Sequence, residues 1–379
     1  MKFGVYIHMP FCHSRCIYCG FYSTTMVSVQ HRYVDCLLKE LRMRYTDFTK
    51  QISDTSNTII ADTIYIGGGT PSTLHSDEIC RLLQDIKDIV GAAQSEITME
   101  VNPDDVSLEY IQSLAKVGVN RISMGVQSFN NHILHFIHRR HNADQAIMAA
   151  KTIRQAGIDN ISMDLMYGFP GQSLKQWQDD ITKIIAINPT HISAYSLMYE
   201  EGTPLHHMLT EGTITPINEE VSLAMYNRLV CQLKEAGYEH YEISNFAKPG
   251  YRSIHNSSYW KDTPYIGLGA SAHSYSLNKR SWNVANLNEY MQAIENSYLP
   301  SDYEDIDADT HYNDIVTTAM RTAEGINLDI LPSAYRQYAL NNAKDSIKYG
   351  LIEIADNHLR LTSKGIFVSD MVMSSLIKI

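Results

Sequence analysis

His8-Met-Pro-Phe-Cys12-His-Ser-Arg-Cys16-Ile-Tyr-Cys19-Gly-Phe21 places three cysteines within eight residues, spaced C-x3-C-x2-C, directly after a short apolar strand from Phe3 to Ile7. Soft thiolate ligands this close together on a loop point to iron–sulfur or zinc chemistry. The odd count matters most. A structural zinc site is closed by four protein ligands, yet only three cysteines are local and no second cysteine pair follows downstream. His8 or His13 would complete a Cys3His zinc site. A cubane held by three thiolates would instead leave one iron without a protein ligand, ready for an exogenous molecule. Three inert buried thiols fit poorly, because Pro10, Gly20 and polar neighbours describe a loop and not a core strand.

Working outward, Val34, Leu37, Leu38, Leu41 and Tyr45 recur at helical spacing. A polar stretch, Thr46 to Thr58, then crosses to a strand at Ala61 to Ile66 that ends in Gly67-Gly-Gly-Thr70-Pro71-Ser72. Ile79, Leu82, Leu83, Ile86 and Val90 mark the next helix, and Glu96 to Val101 a third strand ending at Glu100. A helix with Leu108, Ile111 and Leu114 leads to a strand from Asn120 to Val126, which runs into Gln127-Ser-Phe129. A fifth strand, Asn160 to Met166, contains Asp164 and ends in Tyr167-Gly-Phe-Pro-Gly171. A helix through Trp177, Ile181, Ile184 and Ile185 leads to a sixth, His191 to Leu197. Strands alternating with helices mean parallel strands and right-handed crossovers. The cysteine loop, the glycine run, Glu100, Gln127 and Asp164 follow or terminate successive strands, so they gather on one carboxyl-end rim, as in a barrel. The expected fold is α/β, a partial (β/α)6 barrel over residues 1–200.

Beyond Glu200 the pattern changes. Residues 201–300 read as a barrel extension, with a helix at Glu219 to Ala236, a short strand at Glu239 to Ile243 and a loop from Ser244 to Tyr265. Residues 301–379 read as a smaller, mostly helical domain, helical from about Ala308. It ends in a hairpin (Leu351 to Ile354, His358 to Leu361) and a last helix after Thr362, an arrangement resembling a winged helix. A packing or lid role is expected for it. The net charge of −11 argues against nucleic-acid binding. A hydrophobic content of 44% with 19% charged residues describes an ordinary soluble chain. No apolar run reaches the length of a membrane span, and the chain starts almost at once on a strand, leaving no room for a signal peptide. With thiols that must stay reduced, the expected compartment is the cytoplasm. Cys36, Cys80 and Cys231 sit in helical patterns and read as small core residues.

Gly67-Gly-Gly-Thr70-Pro71 lets the backbone approach a ligand closely, but lacks the Gly-Lys-Ser/Thr ending of a phosphate-binding loop. Alone it is equally a tight turn. A lone carboxylate such as Glu100 or Asp164 is commonly a cap or surface group; two facing one rim read as acceptors for ribose hydroxyls or a sulfonium pole. His132, His135, His138 and His141 recur every third residue, which on a helix spreads them over half the circumference. They read as surface or supporting groups, with Arg139 the better ligand contact. His255-Asn256-Ser-Ser-Tyr259-Trp260 sets an imidazole and an amide beside two aromatic rings. That is either a haem ligand with rings to pack on the porphyrin or a loop histidine held by hydrogen bonds beside an anchoring Trp.

C-x3-C-x2-C after the first strand of a βα chain resembles the radical S-adenosylmethionine (radical SAM) superfamily. Ile7-His-Met-Pro-Phe-Cys12, Gly67-Gly-Gly-Thr-Pro-Ser72, Gly125-Val-Gln-Ser-Phe129, Asp164-Leu-Met-Tyr-Gly-Phe-Pro170, Glu242-Ile-Ser-Asn-Phe-Ala247 and His255-Asn-x-x-Tyr-Trp260 together resemble its coproporphyrinogen dehydrogenase-like branch. Within that branch the likeness is to the haem chaperones. The resemblance implies a [4Fe–4S] cluster on Cys12, Cys16 and Cys19, with S-adenosylmethionine on the fourth iron. Tyr6, Tyr18, Gly68, Gly69, Thr70, Glu100, Gln127, Arg139 and Asp164 are then the S-adenosylmethionine site. It nominates His255 for haem, supported by Asn256, Tyr259 and Trp260. The implied partners are haem, a haem-accepting protein and, where S-adenosylmethionine is cleaved, a reductant; neither nucleic acid nor a membrane anchor is expected. The alternative is oxygen-independent coproporphyrinogen III dehydrogenation. Two departures weigh against it: the dehydrogenase signature continues to C-x3-C-x2-C-x-C where this chain has Phe21, and an N-terminal arm precedes its first strand.

Overall fold

The computed structural model describes residues 1–52, 59–92 and 95–379. Six parallel strands follow one another in chain order across a sheet: β1 (Lys2–Met9), β2 (Ile60–Gly68), β3 (Glu96–Val101), β4 (Arg121–Gln127), β5 (Ile161–Tyr167) and β6 (His191–Ser196). Sequential order with a helix in each crossover curls the sheet into an open barrel. On the helix side every strand presents apolar residues. Phe3, Val5, Ile7, Ile64, Ile66, Met99, Ile122, Met124, Ile161, Met163 and Ile192 are fully buried there, against helices such as Ser76–Val90 and Leu174–Ile187. The opposite face is polar: Tyr65, Glu100, Ser123, Ser162, Asp164, Ser193 and Tyr195 line the barrel interior. Period-two alternation thus divides packing from chemistry along each strand. Asn142 with Gln145 and Ser173 with Gln176 form capping boxes that start two of the crossover helices.

Where the sheet continues, the sequence reading disclosed only the short strand at Glu239 to Ile243, which is β7 here. β7 (Glu239–Glu242) and β8 (Asn245–Ala247) add antiparallel strands beyond β6. On the other side β9 (Tyr265–Leu268) pairs parallel with β1, followed by β10 (His273–Tyr275), β11 (Lys279–Asn283) and β12 (Ser301–Asp305), for twelve strands in the sheet. The Ser244 to Tyr265 stretch is therefore not a loop, since it contains β8 and a helix at Ile254–Tyr259. Apart from β7 these elements are short and aromatic, and their order comes from neighbours far away in sequence, so local periodicity did not disclose them. The first helix runs to Ile52, into the polar stretch read as a crossing, and the rest of that stretch, 53–58, lies outside the described residues. The last helix is two, Ser363–Ile366 and Ser369–Leu376. Cys36 is buried as expected, whereas Cys231 is exposed.

The remainder has its own apolar cluster, with Tyr312, Val316, Met320, Ile326, Leu359 and Leu376 buried between helices and a three-stranded sheet containing the hairpin Ile352–Ala355 and His358–Leu361. Backbone hydrogen bonds from Ile243 N to Arg321 O and from Ala323 N to Tyr241 O tie it to β7. No helix among the described residues is long and apolar enough to cross a membrane.

Candidate functional site

Because β1 and β2 run side by side in register to Met9 and Gly68, the cysteine loop and the glycine run leave the sheet together. Gly69 N donates to Met9 O at 2.8 Å, Thr70 N to Phe11 O at 2.8 Å, and Thr70 Oγ1 lies 3.4 Å from Cys12 Sγ. The glycines are needed for this contact. A Cβ on Gly69 would sit 2.8 Å from the Pro10 carbonyl carbon, and one on Gly68 (φ +110°) 2.6 Å from the His8 ring. The run therefore clamps the cysteine loop before it meets any ligand.

Cys12, Cys16 and Cys19 face a cavity of about 660 Å³ at the carboxyl end of the strands, with Tyr18, Gly68, Gly69, Thr70, Glu100, Gln127, Arg139, Asp164 and Asn256. Residues from seven separate segments converge, among them the five that the rim argument names. Tyr6 lies below them, its hydroxyl 3.0 Å from His8 Nδ1. Gln127 adopts φ 68° at a bulge between β4 and β5. Arg139 Nη1 donates to Cys16 Sγ at 3.6 Å, and Nη2 donates to Asn102 Oδ1 at 2.7 Å and to Gly125 O. The four histidines do not share a helix. The Asn131–Phe136 helix ends before His138, which takes φ 60°, and His141 is buried, donating Nε2 to Val126 O at 3.1 Å.

The donor set fits a cluster. Burial pushes the thiols of Cys12 and Cys19 up, so thiolate ligation there relies on a metal to displace the proton. A single zinc ion would need its sulfurs to converge about 2.3 Å from one point, and among the described residues no three His, Cys, Asp or Glu side chains converge on one ion. His8 is also committed, Nε2 to Tyr22 O at 2.9 Å and Nδ1 to Tyr6. The cavity suits a cationic ligand as well. Glu100 accepts from Tyr65 OH at 2.7 Å and from Gly68 N at 3.2 Å, and Asp164 from Ser123 Oγ at 3.4 Å. Burial, the larger cause in each case, raises Glu100 to about 7 and Asp164 to about 6.

The His255 segment is split three ways. Asn256 reaches the main cavity, while Tyr259 and Trp260 line a second one of about 390 Å³ between the sheet and the C-terminal unit. His255 is buried at 1% exposure, its Nδ1 paired with Thr63 Oγ1 at 2.7 Å and its Nε2 with Tyr259 OH at 2.8 Å. Its ring stacks on Tyr65 at 4.9 Å, and Glu96 caps the short helix by accepting from the backbone of Ile254 and His255. Sequence reasoning missed Arg121, buried on the barrel floor at 1% exposure. An arginine opening an otherwise apolar strand was the available signal.

An open parallel barrel with a three-cysteine loop after β1 defines a radical SAM protein, and the Radical SAM superfamily model matches residues 6–184. The fold is similar to that of the Escherichia coli radical SAM enzyme coproporphyrinogen III oxidase (HemN), with a TM-score of 0.83 at 21% identity over 100% of this chain and 90% of that one. Among curated proteins, the chain is 31% identical to the heme chaperone HemW of Bacillus subtilis (strain 168) over 99% of both chains. It is 30% identical to HemW of Mycobacterium tuberculosis (strain ATCC 25618 / H37Rv) over 99% of this chain and 95% of that one. The chain belongs to the HemW family.

Proposed function

We propose that the chain is a haem chaperone, binding haem and passing it to an acceptor protein, on a core that holds a [4Fe–4S] cluster and S-adenosylmethionine. The observation that carries this reading is end-to-end similarity to proteins named heme chaperone HemW. Cys12, Cys16 and Cys19 would hold the cluster. Glu100, Asp164, Gln127, Thr70, Tyr18, Tyr6, Gly68, Gly69 and Arg139 would receive S-adenosylmethionine on the remaining iron. When bound, the pair supplies one-electron chemistry at a C–S bond; the chain supplies placement, the Arg139 charge beside Cys16 and exclusion of water. Residues 1–200 carry this work, 201–300 bring the 254–259 helix to the barrel floor, and 301–379 cover the second cavity. Anaerobic reconstitution followed by haem titration tests the reading: a Soret band at one haem per chain, transferable to an apo-haemoprotein, is the expected result, and no band would overturn it.

His255 with Asn256, Tyr259 and Trp260 is the proposed haem segment. Both ring nitrogens are occupied, so ligation of haem iron at Nε2 requires the Tyr259 hydroxyl to leave. A hydrogen bond of this kind contributes about 0.5–1.5 kcal/mol, roughly two- to ten-fold in affinity. Tyr259→Phe is therefore expected to tighten haem binding by that factor, and His255→Ala to weaken the Soret band. A His255→Ala spectrum matching wild type would remove His255 from the site. The likeness to HemN carries the barrel and not the decarboxylation. With Phe21 in place of a fourth cysteine, anaerobic incubation with coproporphyrinogen III, S-adenosylmethionine and a reductant is expected to yield no protoporphyrinogen IX by chromatography.

A further inference from the structure

Arg121 opens β4, which lies between β3 with Glu100 and β5 with Asp164. In register Arg121 sits opposite Thr98, one inward position below Glu100, while Asp164 stands opposite Gly125, higher on the same face. The guanidinium is thus beneath both carboxylates. Its Nε and Nη1 are buried and have no hydrogen-bond partner among the described residues. A buried guanidinium with two of its three nitrogens unpaired is unfavourable unless a carboxylate in reach uses its field.

The floor around it is otherwise saturated. Glu96, on the other side of Thr98 from Glu100, is a further carboxylate on the floor near Arg121 and accepts from the backbone N–H groups of the 254–259 helix, while His191 is held between Ser162 Oγ at 2.7 Å and Tyr241 OH at 2.7 Å, and His255 between Thr63 and Tyr259. Above it, the titratable groups facing the two carboxylates are Tyr6 from β1 and Tyr65 from β2, held neutral by burial, and the partly exposed Tyr195 from β6. Arg139 faces them from the segment after β4, but its nitrogens already serve Cys16, Asn102 and Gly125. Glu100 and Asp164 also repel one another. Arg121 is the cation left to offset that repulsion.

We propose that Arg121 is a positioning residue for the S-adenosylmethionine site, a buried counter-charge that keeps Glu100 and Asp164 anionic for a ligand carrying a sulfonium. This rests on reading the main cavity as that site. A purely structural arginine would lower binding equally at every pH when removed; a counter-charge shifts the pH at which binding appears. Burial already brings Glu100 and Asp164 near neutrality, with Arg121 pulling each back down, so without it the anionic pair forms only at higher pH.

Equilibrium dialysis of S-adenosylmethionine against the cluster-loaded protein, from about pH 6 to about pH 9, tests this. Arg121→Met is expected to bind about five- to ten-fold more weakly than wild type near pH 7 and to recover near pH 9, a shift of about one pH unit. Arg121→Lys should behave as wild type, and Arg121→Gln serves as the neutral variant if the methionine variant does not fold. A neutral variant that binds as wild type at neutral pH, or one equally weakened at all pH values and not rescued by lysine, would overturn the proposal. Wild-type protein that binds no S-adenosylmethionine at any pH would overturn the reading of the cavity itself.

Discussion

Cys16→Ser is expected to strip the protein of its iron and its colour. The loop supplies three sulfurs, and of the two histidines beside them His8 has both ring nitrogens committed while His13 is exposed to solvent. A serine oxygen is a hard ligand in a place that selects soft ones. Replacing a group that merely hydrogen-bonds a metal ligand costs about 10–100-fold in affinity, and removing the ligand itself exceeds that. The change also strands Arg139, whose Nη1 donates to Cys16 Sγ. Iron and sulfide analysis after anaerobic reconstitution should show little of either, and the electron paramagnetic resonance signal of the reduced protein should vanish. Cys231→Ser is the control, because that thiol is exposed and its Sγ lies near Glu235 on its own helix. Equal iron in the Cys16→Ser variant and wild type would sink the three-thiolate assignment.

How much of this was written locally in the chain follows from the range of the forces involved. The six parallel strands were legible because each carries a run of apolar residues bounded by Gly, Pro or polar punctuation, and β3 was read at Glu96–Val101 to the residue. The convergence of Cys12, Glu100, Gln127, Arg139 and Asp164 on one cavity was also legible, since parallel strands bring all their carboxyl ends to one rim. What escaped depended on partners remote in sequence. β9 becomes a strand by lying against β1, about 260 residues earlier, and nothing in Tyr-Ile-Gly-Leu announces that. The 254–259 helix has only six residues, too few to show a period, and is held by Glu96 of β3 as well as by its own cap Ser253, so it read as loop. The histidines were read as surface or supporting groups, which His132, His135 and His138 (exposed) and His141 (buried against Val126 O) are, although the backbone turns at His138 and they do not share the helix assumed for them. Arg121 was passed over within the fourth strand and is a buried floor residue.

Glu40 is the other such residue, and its replacement carries the second large expected effect. It lies on the first helix among Cys36, Leu37 and Leu41, fully buried, where the helical pattern predicts an apolar side chain. Its carboxylate accepts four hydrogen bonds, from Arg44 Nη1 at 2.8 Å, Gly269 N at 2.8 Å, Asn283 Nδ2 at 2.7 Å and Tyr290 OH at 2.7 Å. Arg44 continues the network to Gly267 O, Ser274 and Ser281. One side chain therefore bolts the first helix to β9, β11 and the Leu287–Glu295 helix. Glu40→Ala leaves a buried guanidinium and three further donors without their acceptor, a loss of about 3–5 kcal/mol. Urea unfolding measures it directly. Glu40→Gln, which keeps an acceptor oxygen but not the charge, should cost less, about 1–3 kcal/mol. Glu40→Leu combined with Arg44→Met should recover part of the alanine deficit, because a buried pair removed together leaves no orphaned charge. The network also reaches the cysteine loop: Tyr33 OH donates to His8 O at 2.9 Å and accepts from Ala270 N at 3.0 Å, one residue after the Gly269 that Glu40 holds. If Glu40→Ala unfolds at the same urea concentration as wild type, the helix is held by its apolar face alone, and the cysteine loop does not depend on this anchor.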